Sequence, residues 1–223
     1  MFEIVPGAQL DSAPRLSLSG MSLTIGPYAG PEEHEKHVLR TVGSGNWYFS
    51  EYDELRFDPV TGVLQSLQLH IPERNATSYS SPVTPGVPGS LRLTSLSDFD
   101  HEPAALRCMD STRLACLYTM DAIADRVTVA PGVDLLLTDG ELAGWLVAEP
   151  ERFIAEGGPS AEVRALLAEF FTLVAEPGIE RMEAEDPAML RALEELSGRV
   201  GTASPQRAAL HDRLADLADF FYG

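Results

Sequence analysis

Apolar and polar positions alternate with two different periods along this chain, and the change of period divides it. Up to about residue 150 the dominant pattern has the period of two that a half-buried strand requires. Beyond it, apolar residues return every three or four positions, as on one face of a helix. Within the first part, two stretches nearly repeat. GVLQSLQLHIPER, residues 62–74, and GELAGWLVAEPER, residues 140–152, share the opening glycine, a leucine two places on and a closing Pro-Glu-Arg, with apolar residues matched at Leu67/Trp145 and Leu69/Val147.

Each repeat is preceded by its own partner strand and turn: residues 52–57 run into Asp-Pro-Val-Thr-Gly, residues 133–137 into Thr-Asp-Gly. Both read as β-hairpins, with Gly62 and Gly140 giving the turns their backbone freedom. Leu55 and Phe57 then face Leu67 and Leu69, and Leu135 and Leu137 face Trp145 and Val147. Pro72 and Pro150 end the outgoing strands, since proline has no N–H for a sheet ladder. Duplication of one α+β unit and convergence on a common turn pattern account for the repeat equally well.

Further strands are expected in residues 16–25, 91–93, 113–119 and 126–129, with a short helix over 31–42 that has Pro31 in its first turn and a helical piece near 103–109. Past Pro150, Val163, Leu166, Leu167, Phe170 and Val174 mark one amphipathic helix. Met189, Leu190, Leu193 and Leu196 mark a second, and Leu210, Leu214, Leu217 and Phe221 a third. Asp186-Pro187 and Ser204-Pro205 are start signals for the last two. The expected class is α+β: a mainly antiparallel sheet with two similar hairpins, followed by a helical C-terminal third. In SYSSPVTPGVPGS, residues 78–90, prolines recur every third position at Pro82, Pro85 and Pro88, which reads as a semi-rigid loop or linker. It divides an N-terminal α+β half, residues 1–77, from residues 91–223, which carry the second hairpin and the three helices; the two parts can still pack as one domain.

Composition narrows the partners. The 223 residues hold 34 acidic against 16 basic side chains, a net charge of −18. Such a field repels nucleic acid and anionic membranes, whose phosphates need clustered cations, and attracts a basic protein. Every basic residue but Lys36 is arginine, a compositional bias that makes part of the acidity a solubility habit rather than a signal. Residues 1–12 lack the basic flank and apolar core of a secretory signal, and no run of about 18 apolar residues occurs, so the expected location is the cytoplasm. Cys108 and Cys116 are too few for a disulfide framework and lack zinc-site spacing, so they read as reduced thiols.

Candidate chemistry is sparse. SDFDHEP, residues 97–103, groups Asp98, Asp100, His101 and Glu102 as hard oxygen donors suited to Mg²⁺ or Mn²⁺; the blander reading is a helix cap. EEHEKH, residues 32–37, sets His34 and His37 three apart. Helical geometry turns Val38, Leu39 and Val42 inward, with His34 at the edge and His37 in solvent, so a solvated face is expected. Cys108 and His101 sit among acidic residues that disfavour a thiolate, and neither a Gly-x-Ser-x-Gly elbow nor a phosphate loop is present. Alternation over 47–52 puts Tyr48 and Tyr52 on one side of a strand, an aromatic patch of the kind enriched at interfaces. Finally, Glu176, Glu180, Glu183, Glu185 and Asp186 face one Arg181 in a run that reads as a solvated connection open to a basic partner.

These readings converge on a non-enzymatic binding protein, without cofactor, that engages a basic protein through Tyr48, Tyr52 and the acidic run; an immunity- or antitoxin-like inhibitor is the most specific form. One alternative is a small metal-dependent enzyme built on Asp98, Asp100, His101 and Glu102, with His34 or His37 added. Another is a structural subunit of a larger assembly.

Overall fold

In the computed structural model, which describes residues 2–44, 52–76, 85–95, 102–119, 123 and 125–223, the alternating stretches form strands and the 3.6-period stretches form helices. The strands are β1 (Phe2–Pro6), β2 (Arg15–Ser17), β3 (Ser22–Ile25), β4 (Val42–Gly43), β5 (Glu54–Phe57), β6 (Leu64–His70), β7 (Val87–Leu93), β8 (Leu106–Met109), β9 (Arg113–Leu117), β10 (Asp125–Ala130), β11 (Val133–Thr138) and β12 (Glu141–Ala148). Helix α1 (Pro31–Val38) lies between β3 and β4. After β12 come a 3₁₀ turn (Pro150–Phe153) and helices α2 (Ala161–Leu173), α3 (Glu176–Glu183), α4 (Pro187–Val200) and α5 (Pro205–Tyr222). The class is α+β, and among the described residues no helix is long and apolar enough to cross a membrane.

The sheets explain the repeat better than the sequence does. A five-stranded sheet has the order β2-β3-β6-β5-β4, and within a seven-stranded sheet runs β8-β9-β12-β11-β10. Taken in chain order, the second set retraces the first, and every neighbouring pair in both is antiparallel. Strand β7 extends the larger sheet by pairing parallel to β10, and β1 then pairs with β7.

Register matches as well. Leu55 lies opposite Leu67, and Leu135 opposite Trp145. Each hairpin then slips by one residue, which sets Phe57 against Leu64 and Leu137 against Leu142 and leaves Gln65 and Ala143 as the extra residues. Those two occupy the same place in the matched sequences. Only the turns differ. Asp139 and Gly140, at φ 53° and 77°, make a two-residue connection whose twist suits the strands. In the longer loop, the Asp58 carboxylate accepts from the amides of Val60 and Thr61 at 2.9 and 2.7 Å.

The inner faces of both sheets, with Leu23, Leu67, Leu135 and fully buried Trp145, share one apolar core with Phe170, Leu193 and Leu214 of the helices. Caps start the helices where expected: the Asp186 side chain accepts from the Ala188 amide at 2.8 Å and Ser204 from Arg207 at 3.3 Å. Both Pro-Glu-Arg endings anchor the helical layer. Arg74 meets Glu176 at the start of α3 at 3.5 Å, and the buried Glu151 carboxylate takes Nε and Nη2 of Arg164 on α2 at 2.9 and 2.7 Å. Burial pushes Glu151 up, but the bonds from Arg164 and the Ser160 amide outweigh it and hold the carboxyl below its usual range.

Three expectations change. Residues 106–109 form strand β8 instead of a helix, because pairing with β9 places Arg107 where its guanidinium reaches Asn75 Oδ1 at 2.7 Å and the Phe171 carbonyl in the last turn of α2. The acidic run is not a connection, since residues 176–183 form α3, started by Pro177 in its first turn. The expected linker reaches into a strand: residues 87–90 belong to β7, while 78–84 lie outside the described residues.

Candidate functional site

Polar groups gather on the outer face of the five-stranded sheet, under α1. With Pro31 fixing its first turn, α1 and the residues after it place His34, His37, Val38 and Thr41 along one side. Opposite them stand Glu54 and Arg56 of β5 with Ser66 and Gln68 of β6, which are cross-strand neighbours. His34 Nε2 donates to the Glu54 carboxylate, at 2.9 and 3.1 Å from its two oxygens, and Glu54 is only 3% exposed. His37 Nε2 and Ser66 Oγ share a hydrogen bond at 2.9 Å. Burial holds His37 below its usual value against the pull of Glu54. Arg56, 5% exposed, closes the layer: its guanidinium donates to Thr41 Oγ1 and to the carbonyls of Val38, Thr41 and Ser44 at 2.7–3.0 Å.

Tyr28 packs against both imidazoles, its ring 4.6 Å from that of His34 and 5.5 Å from that of His37. Its hydroxyl is buried, and that burial, aided by the Glu54 charge, outweighs the opposing pull of Ser66 and pushes the phenol up to about 12. Beside this layer opens a groove of about 780 Å³, between β2, the start of α1 and the 3₁₀ turn with the residues that follow it; Arg15, Tyr28 and His34 line one side and Arg152, Phe153 and Ile154 another.

The solvated face expected for EEHEKH therefore needs correction. Both histidines turn inward, and Leu39, expected in the core, is 77% exposed. Leu39 keeps the helical geometry, its amide donating to the Glu35 carbonyl at 3.0 Å, but it lies off the face formed by His34, His37, Val38 and Thr41. Nor do the histidines share a metal-like centre, each being committed to a different partner. Among the described residues no three His, Cys, Asp or Glu side chains converge as metal ligands. Asp98, Asp100 and His101 lie outside the described residues, and Glu102 is exposed. Tyr48 also lies outside them, while Tyr52 is half-buried. Burial pushes both the Cys108 and the Cys116 thiol up, which disfavours the thiolate.

The acidic run is presented to solvent. Glu176, Glu180 and Glu183 recur at helical spacing on α3, and all are exposed, as is Glu185 in the turn that follows. Glu176 pairs with Arg74 and Asp186 with Arg181, whereas Glu180, Glu183 and Glu185 form no ion pair with the described residues. The last turn of α5 reaches the same place, where the Tyr222 hydroxyl donates to the Asp186 carbonyl at 3.0 Å; two residues earlier, Phe220 is 80% exposed.

Sequence reasoning passed over Asp53, Glu54 and Arg56. The available signal was Glu54 and Arg56 alternating with Leu55 and Phe57, where one face is core and the other has to satisfy the charges, and Asp53 in step with the core-facing pair. Asp53 is fully buried and accepts from the His70 amide at 2.5 Å, the Ala104 amide and the Tyr118 hydroxyl, so it ties the two sheets together. Burial lifts its carboxyl to about 7 against those hydrogen bonds. No protein-family model and no curated protein sequence matches this chain.

Proposed function

We propose that the protein is a non-enzymatic binding protein for a basic protein partner, and within that class an immunity- or antitoxin-like inhibitor acting in the cytoplasm. The observation that carries this reading is the joining of an unneutralised acidic stripe to an exposed aromatic side chain at one end of the helical layer. Glu176 suits the first turn of α3 and pairs with Arg74, but like charges three apart on a helix cost it stability, so Glu180 and Glu183 are not there for α3 itself. Phe220 sits on the turn that Tyr222 fastens to Asp186. An apolar anchor with a charged rim is the composition of a protein interface, and the net charge of −18 speeds capture of a cation-rich partner. Descent of the two five-strand units from one duplicated unit belongs to the same reading; their shared strand order supports it.

The test is retention from the protein's own cell lysate at low and moderate salt, followed by binding of the retained protein in pure form. A basic partner that binds at near-equal stoichiometry supports the proposal, provided its association slows as salt rises and it binds more weakly to Phe220→Ala and to the triple change Glu180→Gln, Glu183→Gln, Glu185→Gln. If no basic protein is retained at low salt, or both variants bind unchanged, the proposal fails.

A further inference from the structure

Charge reverses sign locally in the groove beside α1. Acidic residues outnumber basic ones 34 to 16 over the chain, yet among the described residues lining this groove two arginines, Arg15 and Arg152, stand against the single carboxylate of Glu156. Arg152 is partly neutralised by Glu149 at 3.2 Å. Arg15 is not. Its Nη2 donates to the Tyr28 carbonyl at 2.5 Å and its guanidinium lies 6.0 Å from the centre of the Tyr28 ring, but it forms no ion pair with any described carboxylate. The residue is thus held in place at the groove wall with its charge uncompensated, in a protein with carboxylates to spare.

The rest of the lining is mainly apolar. Phe153 and Ile154, both partly exposed, supply the apolar wall. The wall carrying His34 is rigid, because Glu54 holds the imidazole and Tyr28 packs on it. A volume of about 780 Å³ falls in the range of small-molecule sites.

We propose that this groove binds a small organic acid, with the ligand carboxylate on Arg15 and an apolar body along Phe153 and Ile154. A guanidinium presents a planar fork of donors that matches a carboxylate in two parallel hydrogen bonds, and an aromatic or aliphatic body replaces water on the apolar wall. Binding would bridge β2 and the 3₁₀ turn, which already touch. The site lies apart from the acidic end of the helical layer, and it stands or falls without the partner-protein reading.

The test uses benzoate and hexanoate as probes, with benzamide as the uncharged control and inorganic phosphate as the bare anion, read by thermal shift and titration calorimetry. A saturable rise in Tm with either acid is expected, without a comparable response to benzamide or phosphate, together with movement of the Ile154 methyl resonances. Arg15→Gln should weaken binding about tenfold, the loss of one good charge-assisted contact. Arg191→Gln, an exposed arginine of α4 outside the groove, should bind as the unchanged protein does. The proposal is overturned if neither acid gives a saturable shift, if benzamide or phosphate binds equally well, or if Arg15→Gln binds undiminished. Because Arg15 is exposed and pairs with no described acid, its substitution leaves the fold intact as a reference.

Discussion

The two five-strand units share strand order, register and the position of a bulge, but they solve the outer face differently. In the first unit that face carries Glu54, Arg56, Ser66 and Gln68 and is roofed by α1 through hydrogen bonds. In the second, the position matching Arg56 is Leu136, which packs with Ala115, Leu117 and Leu146 in a small apolar cluster. One acidic position is kept in both: Glu54 holds His34, and its counterpart Asp134 holds Arg126 at 2.6 Å together with Thr128. An apolar outer face is therefore compatible with this scaffold, and buried polar groups cost stability unless satisfied. The polar layer of the first unit is what distinguishes it, and the groove opens beside that layer.

The comparison is sharpest where the units agree. Trp145 and Leu67 occupy matched inner positions and are both fully buried. Trp145→Ala should cost about 3–5 kcal/mol and Leu67→Ala about 2–5 kcal/mol, measured as shifts in the urea midpoint. A cost well under 1 kcal/mol at either would mean that the matched positions do not serve one core. The second Pro-Glu-Arg comes next. Glu151→Ala takes from Arg164, whose side chain is 12% exposed, its two shortest carboxylate bonds and leaves it the Ser111 carbonyl and a 3.7 Å approach to Glu149; it should cost about 3 kcal/mol, a value that the same unfolding curves would give.

Where the units differ, substituting one solution into the other tests the contrast. Arg56→Leu copies the second unit into the first and removes the donors to Val38, Thr41 and Ser44. The expected loss is about 1–3 kcal/mol, with faster hydrogen exchange at the α1 amides and little change in the helical layer. If α1 exchanged as slowly as before, the polar layer would not be what holds it.

Asp53 adds a dependence on pH. Its folded pKa, near 7, lies above the unfolded value of 3.8. The stability linked to this group is complete below the unfolded value and is lost as pH rises through the folded one. Between about pH 4 and 7 the unchanged protein should lose stability with rising pH relative to Asp53→Asn, at a slope approaching about 1.4 kcal/mol per pH unit. Urea midpoints of the two proteins across that window provide the difference; parallel curves would mean that Asp53 is ionised as freely in the folded chain as in the unfolded one.

Much of this architecture is legible in the residues. Alternation located both hairpins because Leu55, Leu67, Leu135 and Trp145 repeat with the period of the strand, and Asp186 and Ser204 marked helix starts by their side-chain chemistry. Residues 103–109 misled because Leu106, Arg107, Cys108 and Met109 carry no period of their own; pairing with β9 and the reach of Arg107 to α2 decide their conformation. The polar layer stayed hidden for a related reason. Glu54 and His34 are twenty residues apart, and only the crossing of α1 over β5 makes them partners. Charges in a strand pattern announce that something must satisfy them, but not what.

The smallest effect belongs to the first Pro-Glu-Arg, and it tests whether the shared ending has a shared energetic role. Glu73 is exposed where its counterpart Glu151 is buried, and Arg74 meets Glu176 across 3.5 Å with both side chains more than half exposed. Water and salt screen such a pair, so Glu176→Gln should change stability by no more than about 0.5 kcal/mol at moderate salt. The backbone makes the lasting link: the Glu176 amide donates to the Glu73 carbonyl at 3.0 Å, and the Arg107 amide to the Arg74 carbonyl at 2.8 Å, whatever side chains stand there. An unfolding curve of Glu176→Gln that overlays the unchanged protein would assign the first ending its role through main-chain bonds and the second through a buried ion pair. A loss of 2 kcal/mol or more, on the order of a buried pair, would instead make the two endings energetic equivalents.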